Sequence, residues 1–110
     1  MIVEINLYKR VALVKIEGRL NYPKSLELKD ALLKLIEEGH KNIVIELSSV
    51  DFMVSETIRT IYTAWDRCKR KGGHLRIVNS SQRMSEVLTL GGVDNFMTIY
   101  GDRTSAVGSF

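Results

Sequence analysis

Apolar and polar residues alternate at the start of the chain and then change to a helical period. Alternation over 2–7 and 11–17, with Lys9-Arg10 between them, predicts two neighbouring strands joined by a polar turn. Asn21 can cap the following helix and Gly39 can end it. The buried stripe of that helix has helical spacing and consists of Leu28, Leu32, Leu35 and Ile36.

The middle of the chain combines a short apolar run with a second helical stripe. Residues 43–47 predict a strand buried on both faces, and 48–54 are expected to form a loop. Ser55 would then stand where the loop turns into a helix, at the N-terminal end that favours an oxygen acceptor or a phosphate. The apolar stripe of this helix is Ile58, Ile61, Tyr62, Trp65 and Cys68.

The remaining third of the chain repeats the alternation of strand and helix. Strands are predicted over 74–78 and 96–100, with a helix between them that Ser80 or Ser81 caps. Residues 102–107 can add a helical turn, and the last three residues are expected to fray.

This order of elements predicts the class of fold. We expect an α/β domain with a mostly parallel sheet of four to five strands, one antiparallel strand at the N-terminus, and three to four covering helices. Loops that follow parallel strands gather at one edge of a sheet. Asn21 and Ser55 each follow a strand, so they should lie near each other.

Composition narrows the class of protein further. A length of 110 residues predicts one domain over 1–110, and a net charge of +3 is too mild to indicate nucleic acid. The single cysteine rules out an internal disulfide. Because the chain shows neither a membrane-length apolar run nor a signal peptide, we expect a cytoplasmic protein without a membrane partner.

The sequence contains no recognisable catalytic constellation. The basic residues of 67–76 are best explained as cations at a helix C-terminus, since no aromatic platform for nucleic acid accompanies them. His40 and His74 are not paired with a nucleophile, and the Gly-Gly pairs lack the spacing of a phosphate-binding loop. We therefore expect no catalytic residue, cofactor or metal ligand.

Four motifs together resemble the anti-sigma factor antagonist family, whose fold is the STAS domain. The run Leu47-Ser48-Ser49-Val50-Asp51-Phe52-Met53-Val54-Ser55 is similar to the family pattern D-L-S-x-V-x-F-M-D-S-S-G-L. Three further segments match the family in the same order along the chain: the corner Gly18-Arg19-Leu20-Asn21, Gly72-Gly73-His74-Leu75, and Gly92-Val93-Asp94-Asn95-Phe96. The resemblance covers about 2–107.

The resemblance implies a function. Members bind a cytoplasmic anti-sigma factor that is also a serine kinase, and so release a sigma factor for transcription. The kinase phosphorylates the first serine of D-S-S-G, which abolishes binding, and a serine phosphatase restores it. Ser55 corresponds to that serine. The implied partner-binding residues are Asn21, Tyr22, Val54, Ser55, Glu56, Thr57 and Arg59.

The chain departs from the family motif around Ser55. Val54 replaces the preceding acidic residue, Glu56 the second serine, and Thr57 the glycine. Asn21 replaces the aspartate of the corner, so the charges around Ser55 are rearranged. Two alternatives concern these hydroxyls: Ser55 could serve only as a helix cap, and Thr57 could be the modified residue.

Two other functions remain open from the sequence. The first is a phosphorylation-independent binding module in another signalling or transport complex. The second is a small-ligand binder or an enzyme that uses a crevice beyond the strand ends. A deep pocket with His or carboxylate side chains would indicate the second, and a shallow surface around Ser55 would count against it.

Overall fold

Five strands form one sheet in a computed structural model, which describes residues 2–110 apart from the side chain of Val3. The strands are β1 (Ile2–Leu7), β2 (Ala12–Leu20), β3 (Ile43–Met53), β4 (Leu75–Val78) and β5 (Ile99–Tyr100), in that order across the sheet. The helices are α1 (Tyr22–Glu37), α2 (Ser55–Arg70), α3 (Gln82–Leu90) and α4 (Arg103–Gly108), with a 3-10 turn at Val93–Asn95.

The sheet is antiparallel only at its first edge. β1 pairs antiparallel with β2, and the pairs from β2 to β5 are all parallel. Each parallel pair is joined through a helix, as parallel strands require. The predicted α/β class, with a mixed N-terminal strand and up to four helices, is confirmed.

Both faces of the sheet are covered, which explains the almost continuous apolar runs of β2 and β3. One face packs against helices α1, α2 and α3 through buried residues such as Leu32, Ile61 and Leu88. A smaller buried cluster contains Leu13 of β2 and Val44 of β3, which pack with Ala106 of α4. No helix within residues 2–110 has the length and apolar character needed to cross a membrane.

The expected loop over 48–54 was wrong, because β3 continues to Met53. Its extension pairs with the second half of β2, where Leu20 lies opposite Met53. The register shifts on either side of Gly18, whose φ of +86° suits glycine, and these shifts disturb the regular alternation that a strand prediction needs. Buried Val50 and Met53 hold the extension in the core.

Two further expectations change near the C-terminus. The last strand is only Ile99–Tyr100, because the 3-10 turn and a bend occupy the residues before it. The chain end does not fray: Gly108 belongs to α4, and Phe110 is half-buried with its ring 4.0 Å from the Arg76 guanidinium. Ser81, rather than Ser80, caps α3 by accepting a hydrogen bond from the Met84 amide.

Candidate functional site

Ser55 is the first residue of α2, directly after β3 ends at Met53. Its side chain is exposed, and its hydroxyl has no hydrogen-bond partner among residues 2–110. The N-cap position is held by Val54, which has no side chain that can accept a hydrogen bond. The alternative that Ser55 is only the cap of this helix is therefore wrong, and its hydroxyl is available to another molecule.

The Asn21 corner lies at the same edge of the sheet. The Val54 amide donates a hydrogen bond of 3.1 Å to the Leu20 carbonyl, so the residues just before Asn21 and Ser55 are in contact. Asn21 is exposed and caps α1, since its side-chain oxygen accepts a hydrogen bond of 3.0 Å from the Lys24 amide. Two helices thus begin side by side, as expected from strands that end at one edge.

A buried cluster of hydroxyls joins these two helix starts. The Ser25 hydroxyl donates to the Asn21 carbonyl at 2.9 Å and lies 2.6 Å from the Thr57 hydroxyl. Because Ser25 has one proton to donate, Thr57 donates to Ser25. The Thr60 hydroxyl donates to the Ser25 carbonyl at 3.4 Å. These bonds fix the first turn of α2 against the first turn of α1.

The position of Thr57 corrects two expectations. Its side chain is 0% exposed, so it supports the site from below and does not contact a docked protein. The same burial excludes Thr57 as the residue that a kinase modifies in the folded protein. The hydrogen bond to Ser25 explains why a polar residue is tolerated there.

The other predicted partner-binding residues are accessible to different degrees. Tyr22 is 56% exposed on the first turn of α1, and Arg59 is exposed one turn into α2. Val54 and Glu56 are half-buried on either side of Ser55. Glu56 is the acidic residue in the first turn of α2, where a carboxylate complements the helix dipole.

An apolar groove next to Ser55 was not found by sequence reasoning. It has a volume of about 460 Å³ and separates the start of α2 from the end of α3. Its lining is Met53, Val54, Ser55, Ile58, Arg59, Val87, Leu90 and Gly91. Leu90 at its rim is 89% exposed, which is unusual for a large apolar side chain.

Close packing of α2 against the end of α3 shapes this groove. The Tyr62 hydroxyl donates to the Gly91 carbonyl at 2.8 Å. A Cβ atom at Gly91 would lie 3.1 Å from the Ile58 side chain, so glycine permits the close approach. The one signal for the groove in the sequence was Leu90, an apolar residue outside the stripe of α3.

Nothing in the described residues suggests a place for a resident metal ion. Residues 2–110 hold no group of three or more His, Cys, Asp or Glu side chains arranged around a common point. The groove beside Ser55 is open and mainly apolar, with Arg59 as its only charged lining residue. This arrangement is suited to contact with a protein surface.

The chain belongs to the STAS domain family, whose sequence profile matches residues 3–106. The resemblance seen in the motifs is therefore confirmed.

Solved structures of several other proteins have the same fold. An anti-sigma factor antagonist from Mycobacterium paratuberculosis is 18% identical with a TM-score of 0.87, covering 96% of this chain and 90% of its own. The phosphorylated form of the Bacillus cell fate determinant SpoIIAA is 16% identical with a TM-score of 0.77 and 96% coverage of both chains. A sulfate transporter family protein from Wolinella succinogenes is 18% identical with a TM-score of 0.80, covering 94% and 87%.

Proposed function

We propose that this protein is an anti-sigma factor antagonist that acts by reversible binding, not catalysis, in the cytoplasm. Its partner is an anti-sigma factor with serine kinase activity, and binding frees a sigma factor for transcription. The observation that carries the proposal is the exposed, unbonded Ser55 hydroxyl at the start of α2. Membership of the STAS family and similarity to SpoIIAA and the mycobacterial antagonist support it.

The partner would cover the edge of the sheet that holds both helix starts. Asn21 and Tyr22 lie on the α1 side of Ser55, and Arg59 lies on the α2 side. The groove beyond Arg59 offers apolar surface, with Leu90 as its most exposed side chain. Burial of this apolar surface supplies affinity, while Arg59 and Glu56 select partners of complementary charge.

Phosphorylation of Ser55 would act as a release switch. A phosphate adds a charge of about −1.5 to −2 and three acceptor oxygens. In the free protein, the amides in the first turn of α2 and the helix dipole stabilise that charge. In the complex, the same charge would be desolvated beside the half-buried Glu56, so the phosphate disfavours the bound state. A serine phosphatase would return the protein to its binding form.

The proposal is tested by incubating the protein with ATP and the kinase-type anti-sigma factors of its own organism. Trypsin cleavage gives a peptide spanning 42–59, which also contains Ser48, Ser49 and Thr57, so fragment ions must assign the phosphate to one residue. We expect one phosphate, on Ser55. Ser55→Ala should stay unmodified, and Thr57→Val should be modified like wild type. No phosphate and no complex with any candidate would refute the proposal.

A second candidate function keeps the fold and changes the regulation. The similarity to a sulfate transporter family protein, together with Val54, Glu56 and Thr57 in place of the motif residues, favours a module that binds without phosphorylation. The complex would then be a signalling or transport assembly. Equal partner affinity of Ser55→Asp and wild type would support this candidate over the first.

A further inference from the structure

The end of the sheet opposite Ser55 is rich in unpaired cations. Three loops that precede β2, β3 and β4 meet there, because the amino ends of parallel strands share one edge. We call this region the basic pole; it consists of Lys9, Arg10, Lys41, His74 and Arg76. Ser55 and Asn21 follow the carboxyl ends of the same strands, so the two sites are on opposite sides of the molecule.

Two shallow depressions adjoin each other on the basic pole. Their volumes are about 320 and 310 Å³, and they share Arg10, Lys41 and Asn42 as lining residues. Lys9 and His40 line the first, while His74 and Arg76 line the second. Neither lining includes an Asp or Glu residue.

Within the described residues, no Asp or Glu side chain forms an ion pair with a cation of the basic pole. Glu37 and Glu38 precede Gly39 in the chain but line neither depression. Like charges gathered without Asp or Glu counterions repel one another, and an anion bound between them would reduce that repulsion.

Arg76 gives the basic pole a positive charge that is held in place. Its guanidinium stacks 4.0 Å from the Phe110 ring, which restricts the side chain. One of its terminal nitrogens, Nη1, is buried and has no hydrogen-bond partner in the described structure. Because Nη1 is buried, what Arg76 offers a ligand in the depression is its positive charge on a side chain that Phe110 holds in place.

We propose that the basic pole binds a ligand that carries two or more neighbouring phosphate groups. Two adjoining depressions share Arg10 and Lys41, so one phosphate can lie in each while both contact the shared cations. The ligand is a free polyphosphate compound or the headgroup of an anionic lipid, since both present the same chemistry. This site is separate from the Ser55 surface and does not depend on the function proposed for it.

The test is a titration of the isotope-labelled protein with inorganic pyrophosphate. Binding is monitored through the backbone amide signals in nuclear magnetic resonance spectra. We expect saturable shifts confined to 8–11, 39–42 and 72–76, and about tenfold weaker binding of orthophosphate, which fills one depression. The double variant Arg10→Glu/Lys41→Glu should bind pyrophosphate at least about tenfold more weakly. Arg59→Glu/Arg83→Glu is the matched control, because both side chains are exposed at the other end of the sheet and the net charge changes equally.

Vesicles distinguish the two sources of phosphate. Sedimentation with phosphatidylglycerol vesicles but not with phosphatidylcholine, reversed by pyrophosphate, would assign the site to lipid. Pyrophosphate binding without sedimentation would assign it to a free ligand. The proposal is overturned if the Arg10/Lys41 variant binds pyrophosphate like wild type, or if shifts spread equally to Arg59 and Arg83. Binding of RNA that pyrophosphate cannot displace would also overturn it.

Discussion

Burial decides which hydroxyl at the start of α2 can be modified. Ser55 and Thr57 are two positions apart, yet Ser55 is exposed and Thr57 is fully buried. The first is free for a partner or a kinase, and the second holds the helix to its neighbour through Ser25. The sequence suggested Ser55 through its motif, but the role of Thr57 depends on a contact 32 positions away along the chain.

The hydroxyl pair Ser25 and Thr57 should contribute measurably to stability. We expect a coupling energy of about 1 kcal/mol in a double-mutant cycle with Ser25→Ala and Thr57→Val, because each single change removes the same buried hydrogen bond. Urea unfolding of the four proteins measures it. Additive losses in the free energy of unfolding would show that the two hydroxyls act independently.

Leu90 should matter for binding and not for folding. Since it is 89% exposed, Leu90→Ser should change the free energy of unfolding by less than about 0.5 kcal/mol. Loss of an apolar contact at the groove should weaken the complex with the anti-sigma partner by about tenfold, as measured by calorimetry. Leu7→Ser, 60% exposed at the end of β1 away from the site, is the control, and equal effects of the two changes would contradict a docking role for Leu90.

The two helices at the site begin differently. α1 has a side-chain cap from Asn21, whereas α2 begins at Val54 without one. An uncapped helix start leaves backbone N–H groups available to an added acceptor, which agrees with a phosphate on Ser55. The same edge of the sheet thus combines one helix start that has a side-chain cap with one that has none.

Asn21 should be replaceable by another capping residue. We expect Asn21→Ala to lower the free energy of unfolding by about 1 kcal/mol, because the Lys24 amide loses its acceptor. Asn21→Asp should retain full stability, since a carboxylate caps equally well, and it restores the residue of the family motif. Thermal unfolding of both variants checks this. An Asn21→Ala protein as stable as wild type would show that the cap is dispensable.

Most elements were predictable because their signals are local. The bounds of α1 were predicted within a residue or two from its helical spacing, from Asn21 as a cap and from Gly39. β3 was predicted too short because its second half is held by the long-range pairing of Leu20 with Met53. The groove beside Ser55 was missed for a related reason: it exists only where α2 and α3 pack together.

A network of ion pairs connects helix α4 with strands β1, β2 and β3. Arg103 of α4 donates to Glu46 of β3 at 2.9 Å and to Glu4 of β1 at 3.2 Å. Lys15 of β2 lies 3.8 Å from the same Glu46 carboxylate. Glu46 is only 8% exposed, so these two cations compensate a nearly buried charge on the strand that leads to Ser55.

Loss of Arg103 should change the dependence of stability on pH. Hydrogen bonds from Arg103 lower the pKa of Glu4 below its usual 4.5, so the unfolded chain binds more protons as the pH falls through this range. The contribution of Glu4 is present above about pH 4.5 and is lost below it. We expect Arg103→Met to be destabilised at neutral pH, where the Glu4 carboxylate is charged, with a smaller difference from wild type in acid.

Urea unfolding of wild type and Arg103→Met between neutral and acidic pH measures this effect. A matched change outside the network is Arg83→Met, which removes an exposed arginine of α3 and should leave both stability and its pH dependence unchanged. A constant difference between wild type and Arg103→Met at every pH would contradict the assigned role of the Glu4 carboxylate.

The central claim is that one charge at the start of α2 decides whether the partner stays bound. The most direct measurement is the dissociation constant of the anti-sigma factor complex for wild type, Ser55→Ala and Ser55→Asp. We predict that Ser55→Ala binds within about threefold of wild type, and that Ser55→Asp binds about a hundredfold more weakly. Equal affinity of Ser55→Asp and wild type would contradict the account.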